Sequence, residues 1–465
     1  MQIKVLPSEY KADPKIANFF GSNGLGGKIG DAVAAADFPE TIIRFRNDRW
    51  AATVGLDALT DAEWVQHFGR FQPLPDNMLQ PLALRYHGHQ FQHYNPNIGD
   101  GRGFLFAQLR DGHGRLLDLA TKGSGTTPYS RNGDGRLTLK GGVREILATE
   151  MLEALGVNTS KTFSLIETGE ALMRGDEPSP TRSAVMVRLS HSHIRIGTFQ
   201  RVVAEGDAEM MERLIEYCLT ILYNETPDTN PAAQLLNLAV ERIADLAASY
   251  MVAGFVHGVL NTDNINITGE SFDYGPWRFT EYWDPSFTAA YFDHNGLYAF
   301  GRQAQAMHWN LGQLAVSLRL VSEAPPLIEA LERFPSLFQH AIVRRFMWRL
   351  GVESNGAASD RALVEAAERA MGNAKIPVDN FFVTHRGAQR PDQIASDEHY
   401  DAFATLLSEY RPTANASSIH SSDISCSMLI DEVETIWAAI AMNDDWQPLH
   451  SKIEDIRRVG AALSA

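Results

Sequence analysis

The sequence predicts an α+β chain of two lobes, sheet-rich first and helical second, with a cleft between them. Three observations carry that expectation. Residues 104–109 and 115–122 are apolar runs on either side of Asp111-Gly112-His113-Gly114, the pattern of a β-hairpin. Residues 162–167 and 183–189 read as two further strands, preceded by a helix at 139–155 whose Glu145, Glu150 and Glu153 lie among apolar positions. From Ala208 onward helical periodicity takes over, at 209–223, 231–255 and 307–321, interrupted by short strands expected around 264–267.

The flanking regions are less regular. Residues 1–80 mix short apolar runs with glycine-rich punctuation at 21–30 and one helix at 61–68, and read as an N-terminal extension packed on something larger. The expected organisation is an extension at 1–80, a nucleotide-binding N-lobe at 81–200, and a helical C-lobe with its C-terminal elaboration at 201–465. Residues 411–425, rich in Ser, Thr, Ala and Asn, are the best linker candidate.

Composition excludes several classes. With 465 residues the chain can bury a sizeable core, and its 44% hydrophobic content is that of a folded globular protein. A formal net charge of −16 argues against nucleic acid or an anionic membrane as partner. Two cysteines, Cys218 and Cys426, form no CxxC pair, so neither a disulfide framework nor a cysteine zinc site is expected, and Cys426 reads as a buried structural thiol. The first residues lack the apolar core of a signal peptide, and no run reaches the roughly 18 apolar residues of a membrane span. A cytoplasmic protein is expected.

Five constellations carry chemistry. Gly99-Asp100-Gly101-Arg102-Gly103 precedes a strand; glycines let a backbone approach phosphate closely and an arginine can pair with it, although a short G-x-G alone is equally a tight turn. Lys122 at a strand end is followed 23 residues later by Glu145 in a helix; kinases use such a pair, a strand lysine on phosphate held by a helix glutamate, although a lysine and glutamate at this distance are also common by chance. Asp134 and Gly135 lie in a second glycine-rich turn, Gly133-Asp134-Gly135-Arg136. Arg188 and Arg195 near a strand end can clamp a polyphosphate, although as lone residues they are equally surface salt-bridge partners. The most informative stretch is His257-Gly258-Val259-Leu260-Asn261-Thr262-Asp263-Asn264, followed by Asp273-Tyr274-Gly275. Kinase-like folds place a catalytic loop and a D-[FWY]-G motif at this spacing, with the asparagine and second aspartate on the metal. His257, Asn264 and Asp273 fall at the right offsets. The position of the usual proton-accepting aspartate is Val259, which cannot deprotonate a hydroxyl. Asp263 can do so in a different substrate pose, or be a turn residue beside the metal.

His87, His89, His93, His191 and His193 look like a metal cluster, but no carboxylate or thiolate stands at zinc spacing. Structural or nucleotide-pocket roles are expected of them.

On these residues the chain closely resembles the selenoprotein O/YdiU family. The matching stretches are GHQF (88–91), GDGR (99–102), KGSG-x-TPYSR-x-GDGR (122–136), VRLSHSHIRIGTFQ (187–200) and HGVLNTDN with DYGP (257–276). They span residues 85 to 310; the likeness fades before 80 and after 320. The resemblance implies a protein-kinase-like pseudokinase fold that binds ATP in reverse orientation and transfers AMP to Ser, Thr or Tyr hydroxyls of proteins, with UMP transfer from UTP as the alternative. It implies that Gly99, Gly101, Arg102, Lys122, Asp134, Gly135, Arg188 and Arg195 hold the nucleotide. Glu145 would orient Lys122, Asn264 and Asp273 would bind Mg²⁺ or Mn²⁺, and Asp263 would accept the proton.

Some positions depart from the family pattern. Thr126 stands where arginine is common, Gln108 where glutamate is common, and Gly103 in place of alanine, which is expected to loosen the first loop. The chain ends Val459-Gly-Ala-Ala-Leu-Ser-Ala465 without the family's terminal cysteine or selenocysteine motif, so redox control through such a tail is not expected. These departures leave a non-catalytic nucleotide-binding scaffold as a second reading. A small-molecule phosphotransferase is a third, which Val259 disfavours.

Overall fold

A computed structural model describes residues 9–21, 26–175, 177–389, 397–414, 416 and 426–464. The linker expected at 411–425 lies largely outside the described residues.

The chain is mixed α+β, built on one antiparallel sheet. Its strands are β1 (Gly30–Ala32), β2 (Ile42–Arg46), β3 (Leu82–Leu84), β6 (Leu105–Arg110), β7 (Leu116–Lys122), β8 (Leu137–Thr138), β9 (Lys161–Leu172) and β10 (Thr181–Ser190), ordered β1-β3-β6-β7-β10-β9-β2 with β8 on β10. A separate small hairpin joins β4 (Gly88–Gln90) to β5 (His93–Asn95), and β11 (Phe255–Val256) pairs with β12 (Arg278–Phe279).

The expected hairpin is β6–β7. Asp111 closes it, its N–H donating to the Arg115 carbonyl at 3.0 Å and its carboxylate accepting from the N–H groups of His113 and Arg115. This is the side-chain mimicry of a turn that aspartate provides. Both flanking strands are almost wholly buried, which explains why they read as continuous apolar runs instead of alternating ones. The 1–80 segment is not merely laid on the outside: β1 pairs with β3 and β2 pairs with β9, so it supplies both edges of the sheet.

The Leu139–Ala154 helix packs across β9 and β10, and Thr138 caps it by accepting from the Gly141 N–H at 3.1 Å. Twelve of its residues are buried, Glu145 and Glu150 among them. The helical part centres on Pro231–Ala253, which begins with proline in its first turn under an Asn230 cap and ends at Gly254 in the left-handed conformation. Gln303–Leu318 and Phe334–Leu350 pack against it. The helix expected at 209–223 is α-helical over Ala208–Tyr217 and then widens to a π-turn at Cys218–Leu222.

Two expectations are corrected. The short strands around 264–267 do not form; a 3₁₀ turn at Thr262–Asn264 and a single bridge, Arg195 to Asn266, take their place. Cys426 is only partly buried, whereas Cys218 is buried. Among the described residues no helix is long and apolar enough to cross a membrane.

Candidate nucleotide and acceptor site

A cavity of about 770 Å³ opens between the end of the sheet and the loops that follow the Pro231–Ala253 helix. It is lined by the 99–103 loop, the end of β7, the 129–136 loop, Arg188, Arg195, Asp263 and Asp273. Of the candidate residues, Gly99, Gly101, Arg102, Lys122, Asp134, Gly135, Arg188, Arg195, Asp263 and Asp273 lie in its wall. Glu145 stands directly behind that wall, and Asn264 is partly buried beside it.

The register of the sheet explains the cationic centre. Lys122 ends β7 opposite Met186 of β10, and Arg188 lies two residues further along β10, so both side chains stand on the same face of the sheet. The Leu139–Ala154 helix crosses these strands and brings Glu145 into an ion pair with Lys122. Arg188 Nη2 is 3.4 Å from the other Glu145 oxygen. Arg195 arrives by a turn. Ser192 takes a left-handed backbone (φ 81°), and the Asn266 amide donates to the Ser192 carbonyl at 2.6 Å.

Asp273 is the focus of these cations. Its carboxylate lies 3.4 Å from Lys122, 3.3 Å from Arg188 and 3.7 Å from Arg195. Burial works to raise its pKa, but Lys122, Arg188, Arg195 and Arg102 together hold it well below the usual carboxylate range. Its backbone is left-handed (φ 66°), a conformation a non-glycine residue adopts only when its surroundings impose it. The guanidinium of Arg195 lies over Tyr86 at 4.2 Å and over Phe272 at 4.9 Å, which holds the charge in place without neutralising it.

Asp263 has a different environment. Its side chain is buried, Oδ1 has no hydrogen-bond partner, and Gln90 Nε2 approaches Oδ2 at 3.5 Å. Burial pushes its pKa up to about 6 against the opposing charge of Arg195. The loop around it is fixed by many hydrogen bonds. Thr262 Oγ1 donates to Gln200 at 2.6 Å, Asn310 donates to the Leu260 carbonyl at 2.7 Å, and His257 Nε2 donates to the Phe272 carbonyl at 3.0 Å. Asn264 Nδ2 donates to the Val259 carbonyl at 2.9 Å, which leaves its Oδ1 as the atom available to a cation. Among the described residues no group of three or more His, Cys, Asp or Glu side chains is placed to hold a metal ion.

The glycine loops owe their composition first to packing. A Cβ on Gly99 would fall 2.4 Å from the Tyr129 ring, and one on Gly135 would fall 2.2 Å from the Gly125 backbone, so the two loops can touch only through glycine. Gly103 does not loosen its loop as expected: a Cβ there would lie 2.2 Å from the Thr121 carbonyl oxygen. Asp134 is held by Arg174 at 2.8 Å, and Arg136 by Glu170.

Two wall residues have no distinctive sequence signal: Arg174 follows β9 in an irregular stretch, and Tyr86 lies under the Arg195 guanidinium. Gly88 could have been found, since it opens the GHQF stretch; a Cβ there would fall 2.7 Å from Asp263 Oδ1. The histidines are dispersed over different partners. His87 pairs with Tyr94, His89 with Gln200, and His193 with Asp118. Of them His193 lines the cavity.

Comparison with known proteins gives a consistent result. The family model described as "Protein adenylyltransferase SelO" matches residues 21–457, well beyond the 85–310 stretch where the sequence motifs cluster. A protein of Synechocystis sp. named protein nucleotidyltransferase YdiU is 42% identical over 93% of this chain and 96% of its own length. Proteins of the same name from Synechococcus elongatus and Gloeobacter violaceus are each 42% identical, covering 94% and 93% of both chains respectively.

Proposed function

The chain belongs to the SelO family and is a protein nucleotidyltransferase, and from that premise we propose that it transfers AMP from ATP to Ser, Thr or Tyr hydroxyls of proteins in a divalent-metal-dependent reaction. The observation that carries the reading is the convergence of Lys122, Arg188 and Arg195 on Asp273 within 3.7 Å, beside a buried Asp263. We read the sheet and the helical part as the two lobes of a protein-kinase-like fold, divided at residues 80 and 200. The strand lysine paired with a helix glutamate supports this, as does the spacing of the 257–264 loop to Asp273.

In the proposed reaction the acceptor hydroxyl oxygen attacks the α-phosphorus of ATP. Its proton passes to Asp263, the bond from the α-phosphorus to the bridging oxygen breaks, and pyrophosphate leaves with that electron pair. Lys122, Arg188, Arg195 and Arg102 stabilise the charge on the departing pyrophosphate, and Glu145 keeps Lys122 directed at it. Asn264 and Asp273 would hold the cation, Mg²⁺ or Mn²⁺, whose chemistry when bound is to neutralise phosphate charge. One amide oxygen and one ionised carboxylate suit an ion that keeps water and phosphate among its ligands. Val259 in place of the ordinary kinase base fits a pose in which the α-phosphate, not the γ-phosphate, meets the acceptor.

ATP labelled separately at the α- and γ-phosphates tests this. Label should reach protein from the α position only, and should be lost in Asp263→Ala and Asp273→Ala. Transfer of γ label alone would replace the reading with a kinase, and metal-dependent ATP binding with no covalent product would replace it with a scaffold.

One observation favours UTP as a second donor. Ala120 is the one aliphatic side chain among the described residues lining the cavity, whose other members are glycines, polar and charged groups, Tyr86 and Tyr129. Such a wall recognises phosphates far more than a particular base. Competition between ATP and UTP for transfer should therefore be nearly even, and a strong preference would refute that second donor.

A further inference from the structure

The large aromatic side chains left exposed among the described residues are Tyr94, Tyr282, Tyr291 and Phe292, the last two at 82% and 41% exposure. Tyr291 and Phe292 pack edge to face at 5.0 Å. Tyr94 lies on the β4–β5 hairpin, and the other three lie on the segment that follows β12. The two segments are joined: Phe91, at the hairpin tip, packs its ring 5.8 Å from Phe292 and 5.0 Å from Tyr298. The hairpin tip is also tied to the acceptor loop. The Phe91 N–H and the Tyr298 hydroxyl both donate to Asn261 Oδ1, at 3.0 and 2.8 Å, and Gln90 reaches Asp263. The exposed Tyr291–Phe292 pair is thus joined through Phe91 to the loop carrying the proposed proton acceptor. Beside it, a groove of about 630 Å³ runs along residues 285–302, with Tyr291 as one wall.

The charged side chains of this groove are held by local backbone: Asp293 accepts from the N–H groups of Leu297 and Tyr298, and Arg302 donates to the carbonyls of Asn295 and Gly296. Above this mostly polar groove stands the exposed Tyr291–Phe292 pair, apolar surface of the kind that serves recognition. Resting on the transfer reading above, we propose that this face docks the acceptor polypeptide. It would grip an aliphatic or aromatic side chain near the modified residue while the hydroxyl reaches Asp263. The occupant follows from continuity: a protein hydroxyl must reach Asp263, and the chain bearing it must leave across a neighbouring surface. On the hairpin side, that surface is this aromatic face.

The test uses the full chain, α-labelled ATP and a Ser/Thr/Tyr-centred synthetic peptide library, with Tyr291→Ser and Phe292→Ser singly and together. Wild type should prefer peptides with an apolar residue flanking the acceptor. The double variant should raise the peptide KM by about tenfold and erase that preference, with kcat and the KM for ATP retained. Met442→Ser, a change at a 74% exposed side chain on the Ile430–Asn443 helix, should alter neither. An unchanged peptide KM and preference in the double variant overturns the docking surface while leaving the transfer reading intact. Failure of wild type to label any peptide or protein from the α position overturns the transfer reading itself. A dimer in sedimentation that dissociates on Tyr291→Ser assigns the face to a second copy and also overturns the proposal.

Discussion

Arg195 donates from Nη1 to the backbone carbonyl of Asp263 at 2.9 Å, while its Nη2 lies 3.4 Å from Asp100. A residue expected only to clamp phosphate therefore also fixes the loop that carries the proposed proton acceptor. Lysine keeps the charge but lacks the planar fork that serves both partners at once. Arg195→Lys should lower kcat/KM for AMP transfer by about 100-fold, the equivalent of ~3 kcal/mol for a buried charged hydrogen bond and its geometry. Steady-state rates with α-labelled ATP measure it; a loss below threefold would mean the loop is held by other contacts.

Asp273 makes a prediction with two opposite signs. It is the carboxylate that balances Lys122, Arg188 and Arg195, with Glu145 behind them. Asp273→Asn removes that balance and should destabilise the nucleotide-free protein by about 3 kcal/mol. The same change raises the positive potential of the cavity, so metal-free pyrophosphate should bind more tightly while AMP transfer is lost. Calorimetry with pyrophosphate in the presence of a chelator, together with thermal unfolding, reads both. Weaker pyrophosphate binding would show that these cations do not face the phosphates.

Gly103 tests packing against flexibility. A Cβ there meets the Thr121 carbonyl oxygen at 2.2 Å, and that oxygen belongs to β7, which cannot give way without disturbing Lys122. Gly103→Ala should cost about 1–3 kcal/mol, the range for overpacking a tight site, and should raise the KM for ATP. A melting temperature equal to that of wild type would restore the view of Gly103 as a merely loose position.

The parts of the site that were legible in the sequence share one property: their signal is local. The β6–β7 hairpin announces itself by its turn, and Lys122 with Glu145 by a strand and a helix at fixed spacing. Tyr86 and Arg174 lie in ordinary-looking stretches and gain meaning only through Arg195 and Asp134, far away in the chain. The sheet edges β1 and β2 were hidden for the same reason. Strands of three and five residues carry no readable alternation, and their partners β3 and β9 lie tens of residues distant. The expected strands at 264–267 failed because that run is held by side chains, notably Asn266 on Ser192, and by one bridge to Arg195.

Glu368 offers a test of stability away from the site. It lies half-buried on the Ala357–Ala374 helix, one turn after the exposed Glu365. Burial first, and then the like charge of Glu365, push its carboxyl from the ordinary 4.5 up to about 6, with Arg369 opposing. A raised pKa means that the folded state holds this proton more tightly than the unfolded one. The ionised side chain is therefore a cost above about pH 6, and that cost vanishes below the unfolded value, where both states are protonated. The difference corresponds to about 2 kcal/mol. Glu368→Gln should accordingly raise the melting temperature at pH 8 and leave it unchanged at pH 4. Equal gains at both values would trace the effect to packing of the amide instead of to removal of a buried charge.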